Sequence, residues 1–252
     1  MQTTPPMSGT QTVSIASRFC GPKQSGNGGY VAGLLAKSID GPAEIRLRAK
    51  PPLERLLTIA SDGDEAALLD GDMIVATARR ASFTVNVPEA PSKEALDEAR
   101  LAYQSYSHVL PHCFVCGPKR APNDGLRIFA GPVDGTSVNA DFWTPDASLG
   151  DGTGLVASEF LWAALDCPSA FSLRLTDQFI LLGSLAADIR RRPKVGEPLI
   201  AMGWPREQPD GRKRPASSAL MTLDGEVIAV ANSIWIDLND EALIRVLKEQ
   251  NQ

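Results

Sequence analysis

Phe160-Leu161-Trp162-Ala163-Ala164-Leu165-Asp166-Cys167-Pro168 places one carboxylate inside an otherwise apolar, helix-like run. An Asp among Trp, Leu and Ala is costly unless it is paired, solvated or catalytic. The first half of the chain holds a comparable helix start, Ser25-Gly26-Asn27-Gly28-Gly29-Tyr30-Val31-Ala32-Gly33-Leu34-Leu35-Ala36, with Ala36 at the position equivalent to Asp166. The two runs belong to a pattern that occurs twice. Asp70-Gly71-Asp72-Met73-Ile74-Val75 recurs as Asp224-Gly225-Glu226-Val227-Ile228-Ala229, each a tight turn leading into a strand. Glu44-Ile45-Arg46-Leu47-Arg48 matches Asp188-Ile189-Arg190-Arg191-Arg192, and Phe19-Cys20-Gly21-Pro22-Lys23 matches Val115-Cys116-Gly117-Pro118-Lys119. Each match is short, but together they indicate an internal duplication.

Each half reads as strand, helix, then several strands. In the first, a strand is expected over 13–19, a helix over 28–38, and strands over 43–49, 53–60, 65–69 and 73–87. In the second, a hairpin over 125–130 and 137–143 turns at Asp134-Gly135, and a helix covers 155–165. Strands follow over 184–191, 198–204, 216–222 and 227–238. The expected organisation is a flexible tail (1–12), repeat one (13–88), a linker with a short helix (89–111) and repeat two with a terminal helix (112–252). Ser92 suits the N-cap of the linker helix. Asn239 opens the terminal helix, with Leu243, Ile244 and Leu247 as its apolar face.

Composition narrows the function. The chain has 252 residues, 43 % hydrophobic, which supports a substantial core. A net charge of −5 argues against general nucleic-acid binding. No run of about 20 apolar residues offers a membrane span, and the polar first residues lack a signal-peptide pattern, so a cytoplasmic protein is expected. Four cysteines do not suggest a disulfide framework in a chain this long. His108, His112, Cys113 and Cys116 invite a zinc reading. Their spacing is tighter than the usual two-knuckle arrangement, and a second Cys pair is missing. The plainer expectation is a buried loop with two small thiols, no metal and no cofactor.

A helix wrapped by an antiparallel sheet, duplicated in one chain, resembles the double hotdog fold, an α+β architecture. His112-Cys113-Phe114-Val115-Cys116-Gly117 followed by Asn123-Asp124-Gly125-Leu126 is similar to the opening segment of hotdog acyl-CoA thioesterases of the PaaI-like group, with Asn123 and Gly125 one residue closer than usual. That group places H-G-G at the start of the hotdog helix and the catalytic Asp seven residues beyond the second Gly. Here Asn27-Gly28-Gly29 approximates H-G-G but leads to Ala36; Ala157-Ser158-Glu159 replaces H-G-G but leads to Asp166. The resemblance covers most of Arg18 to Leu238.

The resemblance implies a site shared between repeats, with the backbone donors from one and the carboxylate from the other. Asp166 is then the general base or nucleophile, Asn27 the helix cap, and the Gly28 and Gly29 N–H groups the oxyanion hole for an acyl-CoA or similar thioester. The opposite site would hold Ala36, Ser158 and Glu159, so one live site is expected. Tyr30, Leu34, Leu161 and Trp162 are expected to wall the acyl chain. Arg190, Arg192, Arg212 and Arg214 are candidates for the coenzyme A phosphates, which would enter only as part of the substrate. Plainer readings stand beside these. The two glycines also suit close packing, Asp166 also suits a helix ending before Pro168, and the arginines also suit solvated surfaces. An acyl-CoA hydratase or dehydratase and a non-catalytic acyl-CoA or lipid binder are the rival functions. A double hotdog is already a pseudo-dimer, so either a monomer or a homodimer is expected.

Overall fold

The computed structural model of the chain describes residues 9–104, 109–174 and 179–250. Its first half contains strands β1 (Gly9–Ser14), β2 (Ala43–Leu47), β3 (Leu56–Ser61), β4 (Glu65–Asp70) and β5 (Met73–Arg80), with helix α1 (Gly28–Ala36) between β1 and β2. Helix α2 (Lys93–Tyr103) follows. The second half contains β6 (Gly131–Pro132), β7 (Asn139–Trp143), helices α3 (Ser158–Ala164) and α4 (Asp166–Ser172), then β8 (Ile180–Ile189), β9 (Leu199–Pro205), β10 (Lys213–Thr222) and β11 (Val227–Asp237). Helix α5 (Asp240–Gln250) closes the described chain.

All these strands form one antiparallel sheet in the order β1-β3-β4-β5-β2-β8-β11-β10-β9-β7-β6. The halves join where β2 pairs with β8, from Ala43 opposite Ala187 to Arg46 opposite Ser184. The matched segments 44–48 and 188–192 lie along β2 and at the end of β8. The other matched motifs also find structural meaning. Gly71 and Gly225 take positive φ in the two Asp-Gly turns, a conformation that suits glycine. Phe114 N–H donates to the Cys20 carbonyl at 2.7 Å, so the two Cys-Gly-Pro segments lie side by side.

The sheet wraps two central helices, α1 and α3, which pack against each other. Their shared surface is built on small residues. A Cβ on Gly33 would sit 2.5 Å from the Glu159 Cα, and one on Gly29 2.7 Å from the Trp162 carbonyl oxygen. Neither contact is tolerable, so glycine at both positions sets how closely the helices approach. Val31, Leu35, Leu161 and Leu165 are fully buried around this seam, each stabilising the fold by roughly 1.5–3 kcal/mol. This is the two-helix, sheet-wrapped arrangement implied by the hotdog resemblance.

Several local expectations change. The first strand covers 9–14 rather than 13–19, so part of the expected tail is paired with β3. Residues 125–130 do not form a hairpin arm. Leu126 N–H and Ile128 N–H instead donate to the carbonyls of Phe114 and Val115, while the short hairpin runs from β6 to β7. Ser92 caps α2 through the Ala95 N–H, as its side chain suggests. Arg100 of α2 makes paired hydrogen bonds to the fully buried Asp141 of β7, anchoring the linker helix on the second half. Asn239 caps α5 through Ala242 N–H. The buried residue of α5 is Val246, however, and Ile244 and Leu247 are 52 % and 40 % exposed. Among the described residues, no helix is long and apolar enough to cross a membrane.

Candidate active site

Asp166 neither ends its helix nor sits in the middle of one. Helix α3 stops at Ala164, and α4 begins at Asp166 on the far side of a kink at Leu165. Pro168 accounts for the break, because it has no N–H to donate to the carbonyl of Ala164. Ser218 of β10 donates its hydroxyl to the neighbouring Leu165 carbonyl at 2.7 Å. The kink turns the Asp166 side chain onto the N-terminus of α1, in the other half of the molecule.

There Asp166 Oδ2 accepts two hydrogen bonds, from Asn27 Nδ2 at 2.8 Å and from the Gly29 N–H at 3.0 Å. Asn27 uses both ends of its amide, since its Oδ1 caps the helix by accepting from Tyr30 N–H at 2.9 Å. Asp166 is 2 % exposed, and its Oδ1 is buried without a partner among the described residues. Burial raises its pKa to about 7, against the opposing pull of the Gly29 N–H and the Asn27 amide.

The expectation that both glycine N–H groups await an oxyanion changes here. The Gly29 N–H is committed to the carboxylate, while the Gly28 N–H, the first of the helix, has no acceptor among the described residues. The glycines also pack closely, in different directions. A Cβ on Gly28 would meet Leu182 and Leu47 of the sheet, whereas one on Gly29 would meet Asp166 itself.

Asn27, Gly28 and Asp166 open onto a cavity of about 1100 Å³. Its walls are largely apolar, with Leu47, Leu110, Phe171, Leu182 and Trp235 among them. Helix α5 contributes Val246 and Arg245, and Glu249 of that helix pairs with Lys50, also of the lining, at 2.7 Å. Arg48 and Arg174 also line the cavity. Arg174 is held by Asn139 and by the carbonyls of Thr136 and Val138.

The other expected substrate contacts lie elsewhere. Tyr30 stacks on Phe19 at 4.2 Å, within an aromatic cluster that includes Phe114 and Phe160. Leu161 and Trp162 are buried in the core, and Leu34 packs against it; none of the four lines the cavity. Arg190 pairs with Asp188, Arg192 with Asp151, and Arg214 with Asp237. Neither these three nor Arg212 lines the cavity. His112 does not line it, and His108 lies outside the described residues.

Sequence reasoning missed what surrounds the carboxylate. Cys113, Cys116 and Cys167 all line the same cavity. S–H donation from Cys116 and Cys167 pushes the Cys113 thiol well below its ordinary pKa. Beneath α4, the Ser169 hydroxyl receives the Trp235 indole N–H at 2.9 Å and meets Ser233 at 3.0 Å. The adjacency of Cys167 to Asp166 was the available signal for the first group. Nothing in the spacing signals the second.

No protein-family model matches the chain, and no curated protein matches it by sequence. Solved structures do match it across nearly their whole length. The tesB protein of Mycobacterium avium subs. paratuberculosis is 13 % identical, with a TM-score of 0.60 over 91 % of this chain and 93 % of that one. Acyl-CoA thioesterase II TesB2 of Mycobacterium marinum is 14 % identical, with a TM-score of 0.58 over 92 % and 94 %. A hot dog fold protein of unknown function from Alicyclobacillus acidocaldarius is 9 % identical, with a TM-score of 0.57 over 94 % and 95 %. At these identities the likeness is one of fold, and the fold is the double hotdog.

Proposed function

We propose that the chain is a thioester hydrolase acting on an acyl-CoA or a similar acyl thioester at one composite site. The observation that carries this reading is the buried carboxylate of Asp166, held by Asn27 and the Gly29 N–H across the two repeats beside a largely apolar cavity. The similarity in fold to proteins named as acyl-CoA thioesterases supports it.

Asp166 takes a proton from water as the water oxygen attacks the thioester carbon. The carbonyl oxygen gains charge as the tetrahedral intermediate forms, and the unpaired Gly28 N–H at the helix N-terminus donates to it. A preorganised donor of this kind is typically worth about 3 kcal/mol. The intermediate collapses with cleavage of the C–S bond. The thiolate leaves and takes up the proton, giving a free acid and a thiol. Direct attack by Asp166 to give a mixed anhydride uses the same geometry. Asn27 and Gly29 act as positioning groups in this scheme, because their hydrogen bonds aim the carboxylate. The apolar walls receive the acyl chain, and Arg48, Lys50 and Arg245 stand where phosphates of a coenzyme A moiety would be held.

The test is thiol release from acyl-CoA esters of graded chain length. Asp166→Asn should lower kcat by about 10²–10⁴-fold with an unchanged near-UV circular dichroism spectrum. Undiminished turnover in that variant would remove Asp166 from the chemistry. Tight acyl-CoA binding by the unmodified protein without thiol release would favour a binding protein instead.

A further inference from the structure

Three cysteines meet at the cavity wall, and the hydrolytic scheme uses none of them. The sulfurs of Cys113, Cys116 and Cys167 all lie within 4.8 Å of one another. Cys113 Sγ is 3.8 Å from Cys167 Sγ, although the two residues are 54 positions apart in the chain. All three are buried free thiols. Two come from a Cys-x-x-Cys-Gly turn and the third from the first turn of α4.

The turn is shaped to gather sulfurs. Gly117 N–H closes it onto the Cys113 carbonyl at 2.9 Å. A Cβ on Gly117 would lie 2.5 Å from that same oxygen, so only glycine allows the closure. The Asn27 amide approaches the Cys113 sulfur at 3.9 Å. A donor on sulfur favours a thiolate.

Cysteines can meet in a core simply as small apolar residues. Three sulfurs gathered within 4.8 Å at a cavity wall are also the donor set of a thiophilic cation. In a tetrahedral site with Zn–S bonds of about 2.3 Å, neighbouring sulfurs stand about 3.8 Å apart, which is the Cys113–Cys167 separation. Thiolate sulfur selects zinc over magnesium or calcium.

We infer that Cys113, Cys116 and Cys167 form a three-thiolate site for one zinc ion, with the fourth coordination position facing the cavity. Asp166 is not part of the sulfur cluster; its Oδ2 is taken by Asn27 and Gly29. The ion would tie the Cys113–Cys116 turn to the start of α4 and so hold the backbone next to Asp166. This assignment stands whether or not the protein hydrolyses thioesters.

The experiment is metal analysis of the whole chain, purified reduced and without chelators. We expect about one zinc per chain, falling below about a tenth of an equivalent in Cys113→Ser and Cys167→Ser but retained in Cys20→Ser. Because serine at a buried site can prevent folding, the unmodified protein is also stripped of metal and titrated with Co²⁺. Thiolate-to-cobalt charge-transfer bands that saturate at one equivalent and disappear on adding zinc support the site, even if zinc was lost during purification. No copurified zinc together with no such bands in the reduced protein overturns it. Full zinc retention in both folded cysteine variants also overturns it. So does a Cys113–Cys167 disulfide whose reduction leaves the protein unable to give the cobalt bands.

Discussion

The two ends of the α1–α3 helix pair differ in nearly every part. At one end, α1 starts with Asn27, whose side chain both caps the helix and donates to Asp166, and two glycines follow it. At the other, α3 starts with Ala157, which provides no side-chain cap, followed by Ser158 and Glu159. The position facing that end along α1 is Ala36, and the nearby Lys37 pairs with Glu159 at 2.6 Å. Both ends hold a buried carboxylate, but only Asp166 lines the large cavity; Glu159 is paired with a lysine that is 46 % exposed. The contrast teaches that a carboxylate alone does not make this site. It also needs a glycine N–H, a capping amide and a helix that bends.

The most severe way to break the comparison is to move the carboxylate. In Asp166→Asn, adding Ala36→Asp should not restore thioester hydrolysis. The double variant should remain about 10²–10⁴-fold below the unmodified protein in kcat, because no capped, glycine-led helix start faces Ala36. Recovered turnover would show the two ends to be equivalent after all.

The next largest effect separates packing from positioning. Gly29→Ala and Gly33→Ala each force a Cβ into the opposing helix, at a cost of roughly 1–3 kcal/mol read from thermal or urea unfolding. Gly33→Ala should lose stability while keeping most of its kcat. Gly29→Ala should lose both, since its new Cβ meets Asp166 at 2.7 Å. Equal losses of kcat in the two variants would reduce Gly29 to a packing residue.

Asn27→Ala should cost about 1 kcal/mol of stability through the lost cap. Its kcat should fall about tenfold or more, as a hydrogen bond to a charged group is worth roughly 1.5–3 kcal/mol. Lys37→Ala, at the other end, should be the mildest change in turnover, with thiol release unchanged. It strips the buried Glu159 of its partner, so it should cost roughly 1–3 kcal/mol of stability.

How far the sequence reveals the molecule depends on the range of the interaction. The Asp-Gly turns, the strands β2 and β8, the Ser92 and Asn239 caps and the two helix starts were all legible, because each rests on neighbouring residues. The meeting of Asp166 with the glycine-led start of α1 was implied only by the hotdog resemblance, and the Asn27 hydrogen bond to it was not foreseen. Contacts decided by tertiary packing did not follow. Pro168 reads as a stop, yet it falls in the first turn of a new helix, where a missing N–H costs little. Gly33 reads as an ordinary helix residue until the Glu159 backbone lies against it. Ile244 and Leu247 form an apolar stripe on paper, but α5 is seated through Val246 over the cavity. Cys167 carries no spacing relation to Cys113 and Cys116, so only the folded chain brings it to them.

The four-residue pairing of β2 with β8 has a consequence for how such a site changes over time. In an assembly of two identical chains, every substitution is made twice, and a residue that helps one helix end is imposed on the other. Here both partners of that central strand pair are written in a single polypeptide. Asn27 and Ala157, or Asp166 and Ala36, can therefore be changed one at a time. A single chain holds two independently editable addresses where a dimer of identical chains holds one.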